Sequence, residues 1–239
     1  MSLEQAVPYA HGDTAMHGML VAPVSERPSP SVLLVHGAYG LTRSVLGDAH
    51  RLADLGFAVL AADVWGRVPA PGEDPGPLVG GMAADRVEWH GRLTAALDAL
   101  RERPEAAGRR PVVIGTSFGG ASALELVRTG AEVSGAVSIA GGLDLVGDDW
   151  SSATASARVL LCTGADDPMA PAAERARIEG ALSQAGLDWE VDLFGGAGHG
   201  YTDPPSPPSR RAGFGPHPRS AARTWQRIER FLQEDPLDH

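Results

Sequence analysis

The chain of 239 residues contains no lysine, one cysteine, few aromatic residues and no apolar run long enough to cross a membrane. Each scarcity excludes something. All 20 basic side chains are arginine, set against 30 acidic ones, so the formal charge is −10 and the isoelectric point about 5.2. That balance argues against nucleic acid or an anionic lipid surface as a partner. The missing lysine, with abundant Ala, Gly and Pro, is the imprint of GC-rich coding and carries no chemistry. A single cysteine, Cys162, forbids an intramolecular disulfide. It lies in the apolar run Val159-Leu160-Leu161-Cys162 and reads as a small buried hydrophobe rather than a reactive thiol. Residues 1–14 lack the basic start and apolar core of a signal peptide, and no stretch reaches spanning length, so a cytoplasmic protein with no membrane partner is expected.

What is present is ordinary for a soluble globular protein, with 43% hydrophobic and 21% charged residues. One domain over 1–239 is expected. Strand-like apolar runs alternate with amphipathic helical stretches. The strand candidates are 31–36, 57–62, 111–115, 133–140, 157–163 and 189–194. The helix candidates are 42–55 (stopped by Gly56), 83–103, 118–128, 172–185 and 219–233. In the helix at 83–103, Val87, Leu93, Ala96, Leu97 and Leu100 are assigned to the inner face. Such alternation implies right-handed crossovers and a mostly parallel sheet covered on both faces. Two Pro- and Gly-rich stretches, 67–81 and 203–218, read as surface loops too long for simple connectors, either functional or idle.

The chemistry gathers at three loops. Gly115-Thr116-Ser117-Phe118-Gly119 matches G-x-S-x-G after a predicted strand and before a predicted helix. A serine there occupies a sharp turn, and its hydroxyl projects at the carboxyl end of the sheet. A hydroxyl needs a base to take its proton and an acid to orient that base. Downstream, the run from Leu160 enters Ala165-Asp166-Asp167-Pro168, and the run from Val191 enters Gly195-Gly196-Ala197-Gly198-His199-Gly200. The order serine, acid, histidine is that of the α/β-hydrolase fold. Ser117 is the candidate nucleophile and His199 the base; either Asp166 or Asp167 can be the acid, with helix capping the alternative role for Asp166.

Acyl transfer also requires oxyanion donors. The Phe118 N–H at the start of a helix is one candidate. The Ala38 N–H is the other, in His36-Gly37-Ala38-Tyr39-Gly40, which looks like the histidine-glycine loop of esterases. His36 itself reads as a structural residue fixing that loop, and His217 as a solvated one; His50 and His90 fall on predicted helices without evident partners. Tyr39, Trp65, Trp89, Trp150 and Tyr201 are candidates for a pocket wall, with packing as the alternative and the stronger reading for the tryptophans. Tyr39, Tyr201 and Trp65 are carried forward as substrate-binding candidates.

Three segments together resemble the dienelactone hydrolase family. They are His36-Gly37-Ala38-Tyr39-Gly40 through Ala61-Ala62-Asp63-Val64-Trp65-Gly66, Gly164-Ala165-Asp166-Asp167-Pro168-Met169-Ala170-Pro171, and Phe194-Gly195-Gly196-Ala197-Gly198-His199-Gly200-Tyr201. The resemblance spans about residues 15–235. It implies a doubly covered, mostly parallel twisted sheet without a large cap domain. It also selects Asp167, because the family places its acid three residues after a glycine that matches Gly164. Three positions depart from the best-known members. Ser117 stands where they have cysteine, Gly37 where they have glutamate, and 200–203 lacks the arginine that holds a substrate carboxylate. The serine variant points to a more general hydrolase of small esters, lactones or thioesters, working through an acyl-enzyme.

Other classes are disfavoured. Epoxide hydrolases and dehalogenases carry aspartate at the position of Ser117. No histidine pair stands at metal-ligand spacing and no dinucleotide fingerprint follows a strand, so neither metal nor cofactor is expected. Non-hydrolytic chemistry on the same fold (a cyclase or lyase) or a peptidase is the alternative. A small-molecule ester is the expected partner, and the chain is expected to be a monomer or small homo-oligomer.

Overall fold

The computed structural model describes residues 2–106, 110–204 and 211–234. Eight strands form a mostly parallel sheet with helices against it, the architecture of the α/β-hydrolase fold. The chain falls into two compact units, 1–114 and 115–239.

In the first unit the strands are β1 (Ser2–His11), β2 (Thr14–Pro23), β3 (Ser31–Val35) and β4 (Ala58–Ala62), arranged in the order β1-β2-β4-β3. Strands β3 and β4 run parallel with every residue buried, which is why both read as unbroken apolar runs. Between them lies α1 (Arg43–Asp54), started by Thr42, whose hydroxyl accepts from the Val45 N–H. The β1–β2 hairpin was not expected. Its two strands pair antiparallel from Ser2 with Pro23 to His11 with Thr14, around the turn Gly12-Asp13. Of β1 only Val7 is buried, so the strand has no apolar run to announce it. A two-residue Gly-Asp link between two β-compatible runs is the signal that could have found it.

Two expectations for the next segment need correction. The stretch 67–81 is not all loop, because Gly76–Ala84 forms a helix, α2, that buries none of its side chains. Pro77 sits in its first turn, where a missing N–H is harmless. The following helix, α3 (Arg86–Arg101), therefore starts later than 83, at Asp85, whose carboxylate accepts from the Glu88 N–H at 3.0 Å. Its buried face is Trp89, Leu93, Ala96, Leu97, Ala99 and Leu100. Val87 is 80% exposed and does not belong to it. Two residues along a helix turn about 200°, so burying Trp89 places Val87 on the opposite side.

In the second unit β5 (Val112–Thr116, straddling the boundary), β6 (Gly135–Ile139), β7 (Arg158–Gly164) and β8 (Asp188–Phe194) follow in that order. Strands β6, β7 and β8 are parallel neighbours. The helices are α4 (Phe118–Arg128), α5 (Ala172–Gln184) and α6 (Pro218–Glu234). Helix α4 is buried from Phe118 to Val127, including Glu125. That carboxylate accepts from Arg128 Nε at 2.7 Å, Arg128 Nη2 at 2.8 Å and the Gly147 N–H at 2.8 Å. A charge with no exposed surface is tolerable only when its lone pairs are filled in this way. Helix α6 turns Thr224, Ile228, Phe231 and Leu232 inward. Cys162 is buried in β7 as expected, and burial pushes its thiol pKa up. Among the described residues no helix is long and apolar enough to cross a membrane.

Candidate active site

Ser117 closes β5 and opens α4, with φ of 57° and ψ of −116°. A non-glycine residue at positive φ costs on the order of 1–3 kcal/mol, so something must hold it there. The Ser117 N–H donates to the Ile139 carbonyl at 2.9 Å, and its own carbonyl accepts from Ala121 N–H at 3.2 Å. Close packing does the rest: a side chain at Gly115 would collide with the Gly119 carbonyl. The glycine at 115 is thus explained by strand and helix touching across the turn. Phe118 is the first residue of α4, at its positive end.

The carboxyl ends of β7 and β8 deliver the partners. Asp167 lies three residues beyond β7, in a turn closed by its N–H donating to the Gly164 carbonyl at 3.3 Å. His199 follows β8 in the glycine-rich loop. The two loops are joined through backbone: Ala165 N–H donates to Phe194 O at 2.9 Å, and Asp166 N–H to Ala197 O at 3.0 Å.

Three side chains meet in the second unit. Ser117 Oγ lies 2.9 Å from His199 Nε2. His199 Nδ1 lies 3.0 and 3.1 Å from the two oxygens of Asp167. Asp167 is buried, and its Oδ1 also accepts from the Met169 N–H at 2.8 Å. A carboxylate can only accept, so Nδ1 carries the proton and donates it, leaving Nε2 to accept from the serine hydroxyl. The alternative acid, Asp166, is exposed and has no such contact with His199.

The chain after the described break wraps this loop. His199 N–H donates to Gly213 O at 2.6 Å, and Gly215 N–H donates to His199 O at 2.9 Å. The stretch 203–218 is therefore more than an excursion in its described part; residues 205–210 lie outside the described residues. Asp203, in the same loop as His199, has its carboxyl pKa raised by burial, with His199 pulling the other way.

The remaining candidates divide. Tyr201 is not a pocket wall. It is 0% exposed, its ring packs on Phe194 with centroids 5.6 Å apart, and its hydroxyl bonds Thr224 Oγ1 at 2.8 Å. Gly200, at φ of 69°, turns the chain between His199 and Tyr201. In the first unit Trp65 is 5% exposed and donates its indole N–H to the Ala38 carbonyl at 3.0 Å, so it holds that loop in place. Tyr39 is 62% exposed. His36 is the structural residue expected: Nε2 accepts from the Val64 N–H at 3.0 Å and Nδ1 donates to the Gly37 carbonyl at 2.7 Å. Burial pushes its pKa down.

With this geometry in view, comparison with known proteins decides the family. The dienelactone hydrolase family model matches residues 16–235. The chain belongs to the dienelactone hydrolase family. It is accordingly a hydrolase of the α/β class. A solved dienelactone hydrolase-like promiscuous phosphotriesterase from metagenomic libraries is 33% identical, with 98% of each chain covered and a TM-score of 0.89. A protein of Synechocystis sp. bearing the provisional name carboxymethylenebutenolidase is 23% identical, covering 91% of each chain. The dienelactone hydrolase of Anabaena variabilis shares the fold at 22% identity, with 98% of each chain covered and a TM-score of 0.70.

Proposed function

We propose that this member of the family is a serine hydrolase that cleaves small carboxylic esters, lactones or thioesters through an acyl-enzyme. The observation that carries the reading is the unbroken hydrogen-bond chain from Ser117 through His199 to Asp167, with the serine on a positive-φ turn. Nucleophile, base and orienting acid are then in line before substrate arrives.

In the first step His199 Nε2 takes the Ser117 proton as Oγ adds to the carbonyl carbon. Asp167 holds the ring and offsets the positive charge that forms on it. The Phe118 N–H is one donor to the oxyanion. The second proposed donor is the Ala38 N–H, in the loop that His36 and Trp65 hold. Losing one such donor costs on the order of 3–4 kcal/mol in the transition state. His199 then returns the proton to the leaving alkoxide or thiolate, and water repeats the sequence to free the acid. Ser117 takes the part that cysteine plays in the best-known relatives. Because serine is the weaker nucleophile at its ordinary pKa, the general base matters more here.

A second reading is favoured by the 33% identical relative described as a promiscuous phosphotriesterase. Ser117 Oγ would add to phosphorus of an uncharged triester with the same proton path. A neutral dialkyl p-nitrophenyl phosphate separates the readings, since continued turnover supports it and one equivalent of p-nitrophenol followed by silence supports the esterase alone.

The primary test is Ser117→Ala with p-nitrophenyl acetate and butyrate, together with labelling by a fluorophosphonate probe. Turnover should fall by about 10³-fold or more and labelling at Ser117 should vanish. Full activity in the alanine variant would sink the proposal.

A further inference from the structure

His199 must satisfy two directions at once, with Nδ1 on Asp167 and Nε2 on Ser117. Two hydrogen bonds define a line, and an imidazole can still tilt about it. Something has to support the ring from the side.

The segment 211–217 is placed to do so. Its backbone pairs with both the N–H and the carbonyl of His199, forming a parallel bridge between His199 and Phe214. The same segment touches the acid loop. A Cβ on Gly213 would lie 2.7 Å from the Asp166 carbonyl and 3.0 Å from Pro168 Cδ. One on Gly198 would collide with the Gly213 carbonyl. Glycine at 213 is thus required by approach to the acid loop and by its φ of 75°, and glycine at 198 by approach to Gly213. The backbone here leaves little freedom for the position of Phe214.

The Phe214 ring stands edge-to-face with His199, centroids 5.2 Å apart and planes at 62°. The Arg211 guanidinium carbon lies over the Phe214 ring, 4.0 Å from its centroid. Both contacts have geometries at which aromatic rings attract.

We infer that Phe214 is a positioning residue for His199, steadied in turn by Arg211, and that it holds the imidazole in the plane that serves Asp167 and Ser117 together. The inference rests on the reading of His199 as general base. It assigns Phe214 no contact with substrate, so its loss should act on the rate of the chemical step and leave binding alone.

The test compares Phe214→Ala, Phe214→Leu and Phe214→Tyr with wild type, using p-nitrophenyl butyrate turnover and the rate of fluorophosphonate labelling. A misplaced base costs on the order of 10- to 100-fold in kcat, so the alanine and leucine variants should lose that much with KM within about twofold. Labelling should slow by the same factor, because it needs the same proton transfer. Tyrosine keeps the ring and should stay within about threefold of wild type. The leucine variant, which retains apolar volume, guards against a folding defect in the alanine one.

If alanine and leucine keep kcat within about twofold, or raise KM with kcat unchanged, the inference is wrong. It is equally wrong if tyrosine is no better than alanine. Failure of the underlying reading looks different: His199→Ala and Ser117→Ala would then retain turnover whatever Phe214 does.

Discussion

Replacing Asp167 with asparagine tests the electrostatic logic of the site at a single atom. The wild-type carboxylate accepts from His199 Nδ1 at 3.0 and 3.1 Å while Oδ1 also accepts from the Met169 N–H at 2.8 Å. An amide has one oxygen and one NH2. Met169 N–H is a fixed donor, so the amide oxygen belongs beside it, and the NH2 then faces Nδ1. In the place of Oδ2, 3.0 Å from Nδ1, the NH2 can only donate, which favours the tautomer with the proton on Nε2, and in that form His199 cannot receive a proton from Ser117. The residue is 2% exposed, so bulk water cannot repair the mismatch. With the oxyanion donors intact, the loss of the base is worth about 10³- to 10⁴-fold in kcat, or ~4–5.5 kcal/mol. Steady-state hydrolysis of p-nitrophenyl butyrate gives the number, with KM expected to hold within about twofold. Asp166→Asn is the control, and being exposed it should stay within about threefold of wild type. If Asp167→Asn keeps more than about a tenth of wild-type kcat, the assignment of the orienting acid is refuted.

Two further predictions concern stability. Burial depresses the pKa of His36, so over the window below the ordinary histidine value of about 6.5 the unfolded chain binds a proton that the folded chain refuses. Stability is therefore lost as pH falls through that window, with a slope of at most about 1.4 kcal/mol per pH unit from this residue. Urea midpoints between pH 7.5 and 5 should show this slope in wild type and lose it in His36→Gln; an unchanged slope would remove His36 as its source. Arg128→Ala leaves Glu125 buried with its main partner gone, which should cost about 3–5 kcal/mol in chemical denaturation. A loss below about 1 kcal/mol would mean that water reaches Glu125.

The sequence made the second unit legible because its signals are redundant there. The apolar runs of β6 and β7 are buried throughout or nearly so, and the glycine at 115 has a steric explanation in its approach to Gly119. The helix expected at 118–128 has those limits in the structure. Elsewhere the signals are single or absent. Strand β1 buries one residue and carries Pro8, so it lacked any hydrophobic run. Helix α2 carries Gly76, Pro77, Gly80 and Gly81, residues that also write loops. Tyr201 could not be placed because a loop has no periodicity from which to infer facing. Phe214 was hidden for a related reason. Its relation to His199 is made by backbone pairing between two loops, and no local pattern encodes which loops will meet.

Backbone pairing also governs how the site tolerates chemical change. The turn at Ser117 is held by Ile139 O and by the close approach of Gly115 to Gly119, and the acid and base loops are tied to each other and to Gly213 by main-chain bonds. None of these constraints uses the hydroxyl of Ser117, the imidazole of His199 or the carboxylate of Asp167. The frame is set by backbone, and the reactive groups are hung on it. On the proposed reading, serine can then stand at 117, where the family resemblance implies cysteine in the best-known members, without a cost in fold. The same separation predicts which substitutions the fold will accept. Asp203→Asn, at an exposed residue outside the backbone frame, should leave stability in urea denaturation within about 0.5 kcal/mol of wild type. A glycine replacement at 115, 198 or 213 should instead be lost as protein before it is measured as enzyme, because each would force backbone atoms apart.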